Sequence, residues 1–138
     1  MKQEKYTLKQ AKTAKRIIKY FAKFQARVFL LSNGKLWNKW PGGFPIMVVR
    51  TKGAKTNKIR NIPLIYVHQD GLPILVASLG GMPKNPNWYY NVKANPDLKI
   101  STVHDSGNYV AEEVSKQKKD ELWPLICSFY PAYETYQN

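Results

Sequence analysis

Between residues 45 and 114 the sequence alternates short runs rich in Val, Ile, Leu, Thr and Tyr with clusters of Gly, Pro, Asn and Asp. The runs cover 45–51, 62–68, 72–78, 98–104 and 109–114, and their length and punctuation predict five strands. Gln69-Asp70-Gly71 between the second and third marks a tight hairpin. Five or six short strands in an open sheet would leave exposed edges, which closure into a barrel removes. The expected fold is therefore mainly β with flanking helices, a compact antiparallel barrel in the α+β class. At 138 residues the chain suits one domain with one hydrophobic core.

Before the strands lies a segment of different texture. From about residue 7 to 31, Leu8, Ala11, Ala14, Ile17, Ile18, Phe21, Phe24, Val28 and Leu31 recur at helical spacing, with Lys and Arg between them. An amphipathic basic helix is expected, ended by Ser32-Asn33-Gly34. The net charge of +13 is concentrated there: residues 1–40 hold eleven Lys or Arg and one acidic residue, Glu4. Two readings of this helix compete. Its stripe packs on the domain and its lysines are solvated, or it rests on an anionic membrane or polyanion. The division expected is 1–40, basic helix and linker, and 41–138, barrel.

The hydrophobic content of 43% argues for a folded protein. Cys127, the one cysteine, has no disulfide partner and fits a reducing, cytoplasmic setting. The charged N-terminus lacks the pattern of a signal peptide, and no apolar run approaches the ~20 residues of a membrane span. A nucleic-acid partner is not expected, because the positive residues lie on one helix without a base-reading motif.

Several constellations bear on chemistry. His68 and His104 stand without Cys, Asp or Glu at ligand spacing, so no metal site is expected. No nucleophile elbow or glycosidase-like carboxylate pair occurs, so an enzyme of this sequence would leave the hard step to a cofactor. The loop 51–60 carries Lys52, Lys55, Lys58 and Arg60 around Gly53 and Thr56, which suits a phosphate, although solvation alone also explains a basic loop. Next, Ala77-Ser78-Leu79-Gly80-Gly81 and Trp88-Tyr89-Tyr90-Asn91 offer an apolar strand end, a turn and aromatics for a planar ring, or simply core anchors of a short helix. Asn85 is expected to cap that helix, with Pro86 in its first turn and a stop before Pro96. A charged C-terminal helix follows, which Pro124 must kink or restart, and Tyr130, Tyr133 and Tyr136 follow at intervals of three.

Together these pieces resemble the deazaflavin-dependent nitroreductase family. The resemblance is carried by Thr51, Gly53-Ala54-Lys55-Thr56, Arg60, Pro63-Leu64, Ala77-Ser78-Leu79-Gly80-Gly81, Asn85-Pro86-Asn87-Trp88-Tyr89-Tyr90-Asn91, Lys93-Ala94-Asn95-Pro96 and the Tyr130 to Tyr136 tail. It implies a split antiparallel β-barrel that binds coenzyme F-420, an 8-hydroxy-5-deazaflavin. By the resemblance, Ala54, Lys55, Thr56 and Arg60 hold the phosphate and anionic tail. Asn61, Ile62, Pro63, Leu64, Ile65, Val76, Ala77, Ser78 and Leu79 frame the ring and its linker together with Asn87, Trp88, Tyr89, Tyr90 and Asn91. Tyr130, Tyr133 and Tyr136 wall the substrate pocket, and Ser78 and Tyr133 hydrogen-bond the group being reduced.

The function so implied is hydride transfer from the reduced deazaflavin to a quinone, a nitroaromatic or an activated alkene, by a monomer or homodimer. It places the protein in the cytoplasm, with peripheral contact at the inner face of the plasma membrane through the basic helix. Two alternatives stand beside it: FMN in the same groove of a split-barrel oxidoreductase, and a non-catalytic, membrane-associated carrier of a lipid or cofactor.

Overall fold

The computed structural model describes residues 8–77 and 85–136. The stretch holding Ser78, Leu79, Gly80 and Gly81 lies outside the described residues, as does the Tyr136 side chain. Helix α1 spans Leu8–Leu31. It ends where Asn33 and Gly34 both take positive φ (55° and 78°) and the Gly34 N–H returns to the Phe29 carbonyl at 2.8 Å. A Cβ on Gly34 would press on the Val103 Cα at 3.2 Å and the Thr102 carbonyl oxygen at 3.3 Å, so this stop also seats the helix against the sheet.

Then follow β1 (Lys39–Trp40), β2 (Phe44–Lys52), β3 (Ile59–Ile65), β4 (Val67–Gln69), β5 (Leu72–Ile74), α2 (Asn87–Ala94), β6 (Asp97–Ser101), β7 (Ser106–Val110), α3 (Lys116–Phe129) and α4 (Ala132–Tyr136). All pairings are antiparallel: β2 pairs with β1, β3 and β6, and β7 adds to β6. A separate hairpin joins β4 to β5 through Asp70 and Gly71, both at positive φ (51° and 84°), the twisted turn its sequence predicts.

The architecture is mixed α+β and dominated by antiparallel sheet. It departs from the expected closed barrel, because the described strands form a five-stranded sheet and a two-stranded one. The expected second strand, 62–68, is divided at Tyr66. There the Tyr66 N–H still bonds the Pro45 carbonyl (2.9 Å), but the chain then turns into the hairpin. Pro63, opposite Val48, lies on the strand that closes one side of β2, where a missing N–H costs no ladder bond. Two further expectations are corrected. Pro86, not Asn85, is the N-cap of α2, with no side-chain cap bond, and α3 runs unbroken through Pro124 behind a Ser115 cap.

β2 is buried on both faces. Met47 and Val49 pack with Trp88 and Val92 of α2 and with Leu98 and Ile100 of β6; Ile46 and Val48 pack with Ala26 and Phe29 of α1. A third cluster gathers Val67, Leu122, Ile126 and Tyr133, with Ile65 reaching both it and the α1 cluster. Only part of the α1 stripe is used in this packing. Ile17, Phe21, Phe24 and Leu31 remain exposed, Leu31 by 81%, although Phe21 and Phe24 rest on Trp37.

Candidate functional site

The loop after β2 is a closed turn. The Gly53 N–H bonds the Lys58 carbonyl (2.8 Å), the Asn57 N–H returns to the Gly53 carbonyl (3.0 Å), and Asn57 takes a φ of 58°. Thr56 Oγ1 accepts from the Lys58 N–H at 3.3 Å, and a Cβ on Gly53 would sit 2.8 Å from that oxygen. This glycine therefore lets the hydroxyl fold over the backbone. Lys52, Lys55, Lys58 and Arg60 are all exposed around the turn, so their charge faces solvent.

What ties this loop to α2 is one hydrogen bond: the Ala54 N–H donates to Asn91 Oδ1 at 3.0 Å, across 37 residues of sequence. Two segments singled out separately in the sequence, 54–56 and 87–91, are thus neighbours. Trp88 anchors α2 in the core, its side chain 8% exposed, while Asn87 and Tyr90 face outward. Tyr89 lies between these extremes. Its hydroxyl donates to Glu113 Oε1 at 2.6 Å, Lys93 Nζ stands 5.7 Å from its ring centre, and Tyr90 meets it edge to face at 5.3 Å. The bond to Glu113 is the main cause that raises the Tyr89 pKa above its ordinary value, with burial and the Glu113 charge adding to it.

β3 links this region to a second group. Ile62 and Leu64 join the α2 cluster, Ile65 joins the α3–α4 cluster, and Asn61 and Pro63 stand opposite Arg50 and Val48. In that second group Tyr133 is buried, and Tyr130 meets it edge to face at 4.9 Å. Phe44 closes on Tyr130 (4.9 Å), Trp123 lies 6.4 Å from Tyr133, and Val76 packs alongside, whereas Ala77 is exposed. The structure therefore brings the expected residues into two groups, one basic and aromatic at the loop and α2, the other tyrosine-lined at α3 and α4. Ser78 and Leu79 lie outside the described residues.

Sequence reasoning missed Glu113, Lys93 and Phe44 as partners of the tyrosines. Lys93 is detectable, because it lies four residues after Tyr89 on one helix face. Glu113 and Phe44 carry no local signal. Also unforeseen is Thr51, buried on β2 with an Oγ1 that has no hydrogen-bond partner among the described residues. Among the described residues no group of three His, Cys, Asp or Glu could hold a metal ion, and no helix is long and apolar enough to cross a membrane.

The donor set at the loop fits an anionic, phosphorylated ligand: one hydroxyl and several exposed cations on a glycine turn, beside an aromatic helix. Comparison with known proteins agrees with that chemistry. A solved F-420H2-dependent reductase is 39% identical with a TM-score of 0.63, over 67% of this chain and 82% of that one. A second solved chain, described as a domain-swapped dimer, is 31% identical with a TM-score of 0.64, over 92% of this chain and 86% of that one. An F-420H2-dependent quinone reductase of Mycobacterium tuberculosis is 35% identical over 97 residues, 69% of this chain. The chain spans 65% of the length of that relative. Residues 21–138 match the F-420H2-dependent quinone reductase family, and the chain belongs to it.

Proposed function

We propose that the protein is an oxidoreductase that uses reduced coenzyme F-420 to reduce a quinone. The observation that carries this reading is the Ala54–Asn91 hydrogen bond, because it joins the basic loop to the aromatic helix in a chain of this family. Lys55, Thr56 and Arg60 supply charge and donors for the phosphate and acidic tail, with the Ala54 backbone held in place by Asn91. Asn61 to Ile65, Val76 to Leu79 and the turn Asn87 to Asn91 frame the ring. When bound, the reduced deazaflavin supplies the hydride. The FMN alternative has no support from the relatives, which are named for F-420H2.

The chain's own contribution is positional and electrostatic. Tyr130, Tyr133 and Tyr136, with Ser78, wall the acceptor side, exclude water and offer hydroxyl donors where negative charge develops on the quinone oxygen. A nitroaromatic or an activated alkene meets the same requirements, a flat hydride acceptor beside a hydroxyl donor. We read the five-stranded sheet and the β4–β5 hairpin as the parts of a split barrel over residues 41–138.

Residues 1–40 serve as a docking arm. Exposed Ile17, Tyr20, Phe21 and Phe24, with Arg16, Lys23 and Arg27 beside them, suit the surface of an anionic membrane, where lipid quinones reside.

Titration with F-420, followed by fluorescence and by reduction of menadione, tests the reading. Saturable binding at micromolar concentration and F-420H2-dependent quinone reduction are expected. Absence of binding would overturn it. Sedimentation with vesicles containing phosphatidylglycerol tests the arm separately, with loss of binding expected for the Phe21→Ser/Phe24→Ser double variant.

A further inference from the structure

A second cavity lies at the other end of β2, about 20 Å from the loop at six strand residues of roughly 3.3 Å each. It encloses about 380 Å³ and is lined by Ile46, Lys39, Tyr66, His68, His104 and Phe129, among others. None of the roles proposed above uses it. Its chemistry centres on His68. The imidazole stacks on Tyr66 (centroids 4.8 Å apart, 27° between planes) and meets Phe129 edge to face at 4.9 Å. Its Nδ1 accepts the Gly71 N–H at 3.2 Å. A backbone N–H can only donate, so in this arrangement Nδ1 presents its lone pair and the ring proton resides on Nε2. With Tyr66 stacked on the ring and Nδ1 engaged, the Nε2–H is the ring's remaining polar function, and nothing among the described residues accepts from it.

The rest of the lining sorts into an apolar side and a donor side. Val103 and Phe129 supply apolar surface. Exposed Lys39 supplies a positive charge that makes no ion pair among the described residues, and His104 supplies a second imidazole. The Thr102 hydroxyl is already taken, bonded to the Asp105 side chain at 3.1 Å and accepting from the His104 and Asp105 N–H groups at 3.2 Å. A pocket whose lining holds an aromatic ring, an N–H donor and a cation suits a flat ring that ends in an anion. Its volume, near the low end for ligand pockets, suits one bicyclic ring.

We propose that this cavity is a binding site for a planar aromatic carboxylate, with the ring against Val103 and Phe129 and the carboxylate held by His68 Nε2–H and the Lys39 ammonium.

The test uses the full chain without added cofactor, so its failure is distinct from failure of the F-420 reading. 2-Naphthoate is titrated while the ring signals of His68, Tyr66 and Phe129 are followed by NMR. Saturable shifts at these three residues are expected, with a Kd on the order of 0.1–1 mM. Lys39→Glu lies on an exposed position and leaves the fold intact, and it is expected to weaken 2-naphthoate about tenfold while leaving the neutral 2-naphthalenemethanol unchanged. His68→Phe keeps an aromatic ring but removes the donor, and is expected to weaken the carboxylate more than the alcohol. Lack of saturation below about 5 mM, shifts confined to the 53–58 loop or to α1, or equal loss of both probes in Lys39→Glu would each overturn the assignment.

Discussion

Replacing Asn91 by Leu removes the single acceptor that fastens the basic loop to α2. The lost bond, Ala54 N–H to Asn91 Oδ1 at 3.0 Å, lies at the surface, so the freed amide is met by water and no buried polar group is orphaned. Its net worth is therefore about 1 kcal/mol. In a chain of this size, that lowers Tm by about 3–6 °C. The larger consequence is for binding. If the loop must be ordered by the ligand instead of by Asn91, the same 1 kcal/mol is taken from affinity, a factor of about five in Kd. Asn91→Asp separates the two effects. A carboxylate still accepts from the Ala54 N–H, so stability is kept, but its charge stands near Lys55 and Arg60 and opposes an anionic ligand. Denaturant unfolding and F-420 titration on both variants make the check. Should Asn91→Leu bind F-420 as tightly as the unaltered chain, the loop and α2 do not form one site.

Thr51→Val replaces a buried hydroxyl, without a partner among the described residues, by a methyl group of the same shape, and a gain of about 1 kcal/mol is expected in denaturant unfolding. Met47→Ala opens a cavity between β2 and α2 and is expected to cost about 2–5 kcal/mol by the same measurement. Since the Tyr89 pKa is raised in the folded state, its bond to Glu113 contributes stability below the phenol's ordinary pKa, and that contribution is lost as pH rises through the folded value. Ultraviolet titration of phenolate should accordingly show one tyrosine ionising earlier in Glu113→Gln; an unchanged curve would contradict the assignment. Burial, with the Glu134 charge second, pushes the Cys127 thiol up, so a disulfide reagent at pH 7.5 should react far more slowly with the folded chain than in denaturant.

The strand content and the Asp70-Gly71 hairpin were legible because each rests on local chemistry: alternating β-branched runs, and a residue pair tolerant of positive φ. The family, too, was legible from the loop and the Asn87 to Asn91 turn. The break at Tyr66 was not, because 62–68 is uniformly β-prone and the division comes from the separate packing of Val67 against α3. Pro86 illustrates a different limit. Asn85 is the better capping residue by chemistry, but the helix begins one residue later and leaves it outside. Pro124 illustrates a third, since α3 is secured by Leu122 and Ile126 on either side and so tolerates the missing N–H. At the site, local chemistry marked the segments but not their adjacency, which rests on contacts 37 residues apart for Ala54 and Asn91 and 24 apart for Tyr89 and Glu113.

The double burial of β2 also orders events during synthesis. One side of the strand is satisfied early, by β3, but the other waits for β6, whose Lys99, Ile100 and Ser101 pair with Arg50, Val49 and Val48. Until the ribosome has released that later half, Met47 and Val49 sit on a strand with an open edge and an uncovered face. The nascent chain is then at its most prone to aggregate. Once closed, the same strand should hold the slowest-exchanging amides, Met47 to Val49, because freeing them requires the whole sheet to part.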